Sequence, residues 1–138
     1  MAVPTDVNSP LTTPSHTAEH QRVSDAVAAL TTPTWIAIPF SNGWGNYGAG
    51  YELGAYCKIG NFTYLTGLVL SGTAITVCTF PVGYRPARNH LGVLMTGSGA
   101  IRWDISPAGV FTMSGSAPTA GSIFLSLTGL SWPLTALP

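Results

Sequence analysis

Two arginines and a histidine fall within six positions in the stretch TFPVGYRPARNH, residues 79–90. Arg85 and Arg88 could hold a phosphate or carboxylate through charge-assisted hydrogen bonds. The same guanidinium groups could instead bond main-chain carbonyls or an acid within or between subunits. The chain has five basic and five acidic residues in 138. From Trp35 onward its acids are Glu52 and Asp104, so carbonyls are the better-supplied partners. Pro81, Val82, Gly83 and Tyr84 read as a turn, with Gly83 free to take a positive φ and Pro86 stiffening the exit.

A second stretch, SNGWGNYGAGY at residues 41–51, is a glycine-rich loop carrying Trp44, Tyr47 and Tyr51. Their rings suit the apolar face of a sugar, and Asn42 and Asn46 could hydrogen-bond its hydroxyls. The competing reading, which we favour, has Trp44 capping the open end of a β-structure. Elsewhere chemistry is scarce. There is no GxSxG elbow, P-loop, HExxH or dinucleotide fingerprint. Glycoside hydrolysis needs two carboxylates flanking one bond, whereas Glu52 and Asp104 sit on alternating strand faces. Each reads as solvated or paired, Asp104 with Arg102. Cys57 and Cys78 read as buried reduced thiols. His16, His20 and His90 lie far from both in sequence, so neither a metal nor a cofactor is expected. The triplet at Asn61 matches a glycosylation acceptor, but MAVPTDVNSP shows no secretory signal to give it meaning. The expectation is a chain that is not an enzyme.

Charged residues make up 7% of the chain and hydrophobic ones 46%, against about 25% charged in an ordinary soluble domain. No apolar run approaches the roughly 18 residues of a membrane-spanning helix, so membrane insertion is not expected. Formal net charge is zero and there is no basic block, which argues against a nucleic-acid partner. So uncharged a chain is expected to hide surface against other chains, as a homo-oligomer or a component of an assembly.

Three segments follow. Residues 1–14 hold three prolines among Thr, Ser and Asn and read as an extended anchoring arm. Residues 15–32 read as a helix capped by Ser15 and stopped by Pro33. Within it His16, His20, Val23, Val27 and Leu30 repeat at spacings of 4, 3, 4 and 3, a heptad seam that predicts a short parallel coiled-coil collar. Residues 33–138 read as β throughout, with short runs between Gly, Pro, Asn and Ser turns. YELGAYCKIG places Leu53, Ala55, Cys57 and Ile59 opposite Glu52, Tyr56 and Lys58. IRWDIS places Ile101, Trp103 and Ile105 opposite Arg102 and Asp104. FTYLTGLVL and AITVCTF are apolar on both faces and are expected to be central or covered by another subunit. The fold class is mainly β, an antiparallel sandwich of jelly-roll type.

The ordered set GWGNYG, AYCKIGNFTYLTGLVLSG, FPVGYRPARNH and IFLSLTGLSWP spans most of residues 35–133. It resembles a β-rich head domain of bacteriophage tail and virion-surface proteins. That family shows an N-G-W near its start, then LP-x-GYRP, then a closing L-x-G-x-x-W. Phe80 and Val82 stand in and around the LP-x-G here, a change of core packing. The upstream His16–His20 pair resembles the H-x-x-x-H stretch that precedes such heads. The resemblance implies a homotrimeric virion component with no catalytic residues, in which GYRP is a structural turn or a receptor contact. The short helix places capsid decoration, with residues 1–14 held by another virion protein, ahead of a tail receptor-binding protein contacting a host glycan. Both stand ahead of a carbohydrate-binding module.

Overall fold

A computed structural model describes residues 14–136, and the chain divides after Pro33 into two compact units. The first contains helix α1 (Pro14–Thr31). Pro14 opens it, where a missing N–H costs nothing, one position ahead of the expected Ser15 cap. At its other end Thr32 N still donates to Ala28 O at 2.9 Å, and Pro33 stops the run. The described side chains from Thr17 to Ala28 are exposed, His20, Val23 and Val27 among them. The side chains of His16 and Leu30, and residues 1–13 of the arm, lie outside the described residues.

The second unit is built of two antiparallel sheets, with strands numbered along the chain. The four-stranded sheet runs in the order β1 (Ile36–Ala37), β3 (Ala55–Ile59), β4 (Phe62–Thr66), β11 (Ser131–Pro133). The seven-stranded sheet begins β2 (Gly45–Asn46), β5 (Leu68–Leu70), β10 (Phe124–Ser126). It continues β7 (His90–Thr96), β8 (Gly99–Ile105), β9 (Val110–Met113), β6 (Thr76–Thr79). Leu65 and Trp132 of the first sheet meet Val69, Leu94, Trp103, Ile105, Phe111 and Leu125 of the second in one buried cluster. The strand alternation of β8 holds: Trp103 and Ile105 are buried and Arg102 points out.

Three sequence expectations change. FTYLTGLVL is two strands, because the chain turns at Gly67 (φ +105°) from one sheet into the other. Its halves bury side chains in different sheets, which is why the run reads as apolar on both faces. AITVCTF is an edge strand, not a central one. A bulge between Thr76 and Cys78 turns the consecutive Val77 and Cys78 both inward, and Ser41 N covers the outer side by bonding Val77 O at 2.9 Å. In β3, Tyr56 is buried instead of sharing an outer face with Lys58, and Leu53 is exposed. The strand starts only at Ala55, so its alternation does not reach back to Leu53. Tyr56 packs edge-on between Phe80 and Tyr84, at 5.1 and 4.9 Å between centroids.

Cys57 and Cys78 are free and buried. Burial pushes the Cys78 thiol up to about 12 and raises Cys57 as well. A thiol raised on folding supports the native state fully below its ordinary value of 9.0. That support disappears as pH climbs towards the folded value. We therefore expect melting temperature to fall between pH 9 and pH 12, less steeply in Cys78→Ala than in the parent. Calorimetry across that range checks it; equal slopes would contradict it.

Candidate functional site

The segment from Phe80 to His90 is fastened at its start and open at its end. Phe80 is fully buried, and its N–H donates to Gly109 O at 2.9 Å. Tyr84 N closes the turn on Pro81 O at 3.2 Å, with Gly83 at φ +95°. The Tyr84 carbonyl then accepts from Trp132 Nε1 at 2.8 Å and from Thr63 Oγ1 at 3.0 Å. Arg85 Nε donates to Phe80 O at 2.7 Å, and Pro86 is buried. The GYRP stretch is thus tied on both sides to the core, and Arg85 serves a carbonyl.

Arg85→Ala would leave the Phe80 carbonyl without its guanidinium donor. We expect a loss of about 1–3 kcal/mol, read as a lower denaturation midpoint. An unchanged midpoint would show that water replaces the guanidinium at no cost.

Beyond Pro86 the chain presents Arg88, Asn89 and His90 between two hollows. The larger, about 430 Å³, is lined by Asn89, His90, Arg102, Asp104, Ser106 and Thr112 among others. The smaller, about 250 Å³, lies between Arg88, Asn89, His90 and the Pro133–Ala136 segment. Register explains the gathering: Leu91 of β7 stands opposite Asp104 of β8, which stands opposite Thr112 of β9. Arg102 Nε donates to Asp104 Oδ2 at 2.9 Å, with a second bond from its terminal nitrogen to Oδ1. Asp104 raises the Arg102 pKa, first by that hydrogen bond and then by charge.

A carboxylate offers about four acceptor positions and a guanidinium five donors, so the pair keeps capacity on both sides for a ligand. Asn89, Ser106 and Thr112 add further donors and acceptors. Arg88 has no hydrogen bond or ion pair among the described residues and is a free cation at the rim. Such a surface suits a ligand rich in hydroxyls. Among the described residues lining the larger hollow the carboxylate is Asp104, already paired with Arg102.

The glycine-rich loop contributes differently from the sugar-contact expectation. Trp44 is 5% exposed and its Nε1 donates to Ala74 O at 2.7 Å, so its ring face is closed to a ligand and it belongs to the core. Asn42 Nδ2 is spent on Thr76 O at 3.0 Å, and Asn46 Oδ1 accepts from Gly54 N at 2.6 Å. Tyr47 remains on the surface, edge-on to Tyr51 and Phe124 at 5.3 and 5.9 Å between centroids. Asn42, Asn46, Tyr47 and Arg85 are not among the residues lining the two hollows; Arg88 is. His90, singled out in the sequence with the two arginines, lines both hollows, whereas sequence reasoning missed Asn89, Ser106 and Thr112. The signal was faint: they converge only through the β7–β8–β9 register.

No protein-family model and no curated protein matches this chain. Among solved structures, it is similar to the receptor binding protein (gp15) of Listeria phage PSA. The TM-score is 0.59 at 17% identity, covering 96% of this chain and 87% of that one. At this identity the likeness is one of fold.

Proposed function

We propose that this chain is a non-enzymatic bacteriophage virion protein that binds the host receptor, a tail-fibre or minor tail component. The observation that carries the reading is the fold shared, over 96% of the chain, with a phage receptor binding protein. That neighbour tips the balance from capsid decoration, which the short helix favoured from sequence, to the tail. The hollow beside Asn89 and His90 supports it, since its mixed donors and acceptors suit a hydroxyl-rich host-surface glycan. In this reading three copies associate through the seam that includes His20, Val23 and Val27, and residues 1–14 attach to other virion proteins.

The test pairs adsorption with stability. Asn89→Ala with Asp104→Asn should cut adsorption to host cells by about tenfold or more, as losing two hydrogen bonds implies, with little change in melting. Normal adsorption would remove the hollow from the mechanism. Imaging of labelled virions addresses location: label at the tail tip is expected, and label over the capsid shell would restore the decoration reading.

A further inference from the structure

We infer that the ligand of this site carries an acidic group, a phosphate or a carboxylate, and that the smaller hollow seats it. This rests on the receptor-binding reading above and names the class of glycan which that reading leaves open. Among the basic residues of the β unit, Arg102 is spent on Asp104 and Arg85 on the Phe80 carbonyl. Arg88 is exposed and donates to nothing among the described residues. It lines the smaller hollow together with Asn89 and His90, and no carboxylate is among the described lining residues. In the larger hollow Arg102 and Asp104 cancel, so the net charge of the site stands at Arg88. Such a charge left over beside a concavity is unusual in a chain with 7% charged residues. Its natural partner is an anion, because the planar guanidinium fork matches two oxygens of a carboxylate or phosphate at once.

The donor set agrees with that charge. Arg88 brings up to five N–H donors, Asn89 two, and His90 one in either neutral tautomer. Thr135 Oγ1 accepts from Asn61 Nδ2 at 2.5 Å, which leaves its own proton to donate. Among these side chains donors outnumber acceptors, which suits oxygens that only accept. The walls are set before any ligand arrives. Leu134 N donates to Asn61 O at 2.9 Å, so Asn61 holds the Pro133–Ala136 side by two bonds. The other side hangs from buried Pro86 and from the Tyr84 carbonyl, which accepts from Trp132 Nε1, one residue before Pro133. Preorganisation of this kind spares a ligand the cost of ordering its own seat. Asn89 and His90 line both hollows, so one sugar can place its acid in the smaller and its hydroxyls in the larger.

The experiment titrates the full chain with glucose 6-phosphate, glucuronate, methyl glucoside and inorganic phosphate, following the amide NMR shifts of Asn89 and His90. At least one of the two acid sugars should bind about tenfold or more tightly than methyl glucoside, the scale of a charge-assisted contact. Which acid binds better distinguishes phosphate from carboxylate. Raising salt from about 0.02 M to about 0.3 M should erode that advantage several-fold, because exposed charges are screened. Arg88→Gln should erase the advantage and leave melting unchanged, since this side chain makes no bond among the described residues. Acid sugars no tighter than methyl glucoside, or an advantage that survives in Arg88→Gln, would overturn the inference. So would inorganic phosphate binding as tightly as glucose 6-phosphate, since the ion would then be seated without regard to the sugar. Adsorption separates the inference from the receptor reading beneath it. Arg88→Gln should cut adsorption to host cells about tenfold, as Asn89→Ala with Asp104→Asn does. Loss in that pair but not in Arg88→Gln keeps the receptor site and makes its ligand neutral, overturning the inference alone. No loss in either removes the receptor reading and the inference with it.

Discussion

Trp132→Ala is expected to cost about 3–5 kcal/mol, a large part of the roughly 5–15 kcal/mol that holds a domain together. Trp132 is completely buried. Its ring lies 5.1 Å from Phe80, 6.3 Å from Phe111 and 6.5 Å from Trp103, centroid to centroid. It also carries the hydrogen bond that fastens the Tyr84 carbonyl. Removing it leaves a cavity between the sheets and loosens the turn that positions Arg88, Asn89 and His90. Denaturant melts give the size of the loss. A sharper comparison uses phenylalanine at both core tryptophans. Trp103 Nε1 is buried with no partner among the described residues, so Trp103→Phe removes an unsatisfied donor, whereas Trp132→Phe removes a satisfied one. The second should be the costlier by about 1 kcal/mol. Equal losses would mean that the indole N–H of Trp132 contributes nothing beyond its bulk.

Gly67→Ala should be nearly as damaging for a backbone reason. At φ +105° a side chain is strained, and an added Cβ would stand 2.4 Å from Leu53 O and 2.5 Å from Gly54 N. These are main-chain atoms held in place, since Leu68 N donates to Glu52 O and Leu127 N to Gly67 O, each at 2.9 Å. Either the corner opens or these bonds break. A loss of about 3 kcal/mol or more follows from strain and collision together, or roughly 12 °C or more in midpoint for a domain near 100 residues. Gly60→Ala is the control. It also has positive φ, at +57°, but nothing lies within 4 Å of its Cβ. It should lose only about 1 kcal/mol. If the two variants melt alike, crowding at the corner is not what demands glycine at 67.

The same corner shows what could be read from the sequence and what could not. The alternation of Ile101, Trp103 and Ile105 against Arg102 and Asp104 is a local signal, and it fixed the faces of β8 directly. The turn at Pro81–Tyr84 was legible because proline and glycine restrict the backbone where they stand. Sheet membership was not legible, because FTYLTGLVL changes sheet without losing its apolar character, and the tight approach of Leu53 to Gly67 is a tertiary fact. Tyr56 was placed outside because a phenol can serve either face, and only the rings of Phe80 and Tyr84 decide. The hollow escaped for a similar reason. Asn89 and Thr112 carry no motif, and what joins them is a register between strands distant in sequence.

The strand edges carry a last consequence, for behaviour in a crowd. Unpaired edges invite other chains to add on, and proteins commonly blunt them with lysines and other charges. At 7% charged residues this chain has few to spend. Its edges are closed by shape instead. β1 and β2 are two residues each, β11 is three with Pro133, which has no N–H to donate, and β6 is bulged with Ser41 bonded along it. Runaway edge-to-edge polymerisation is thereby denied a template, so many nearly neutral copies can be concentrated in one place without growing into fibrils.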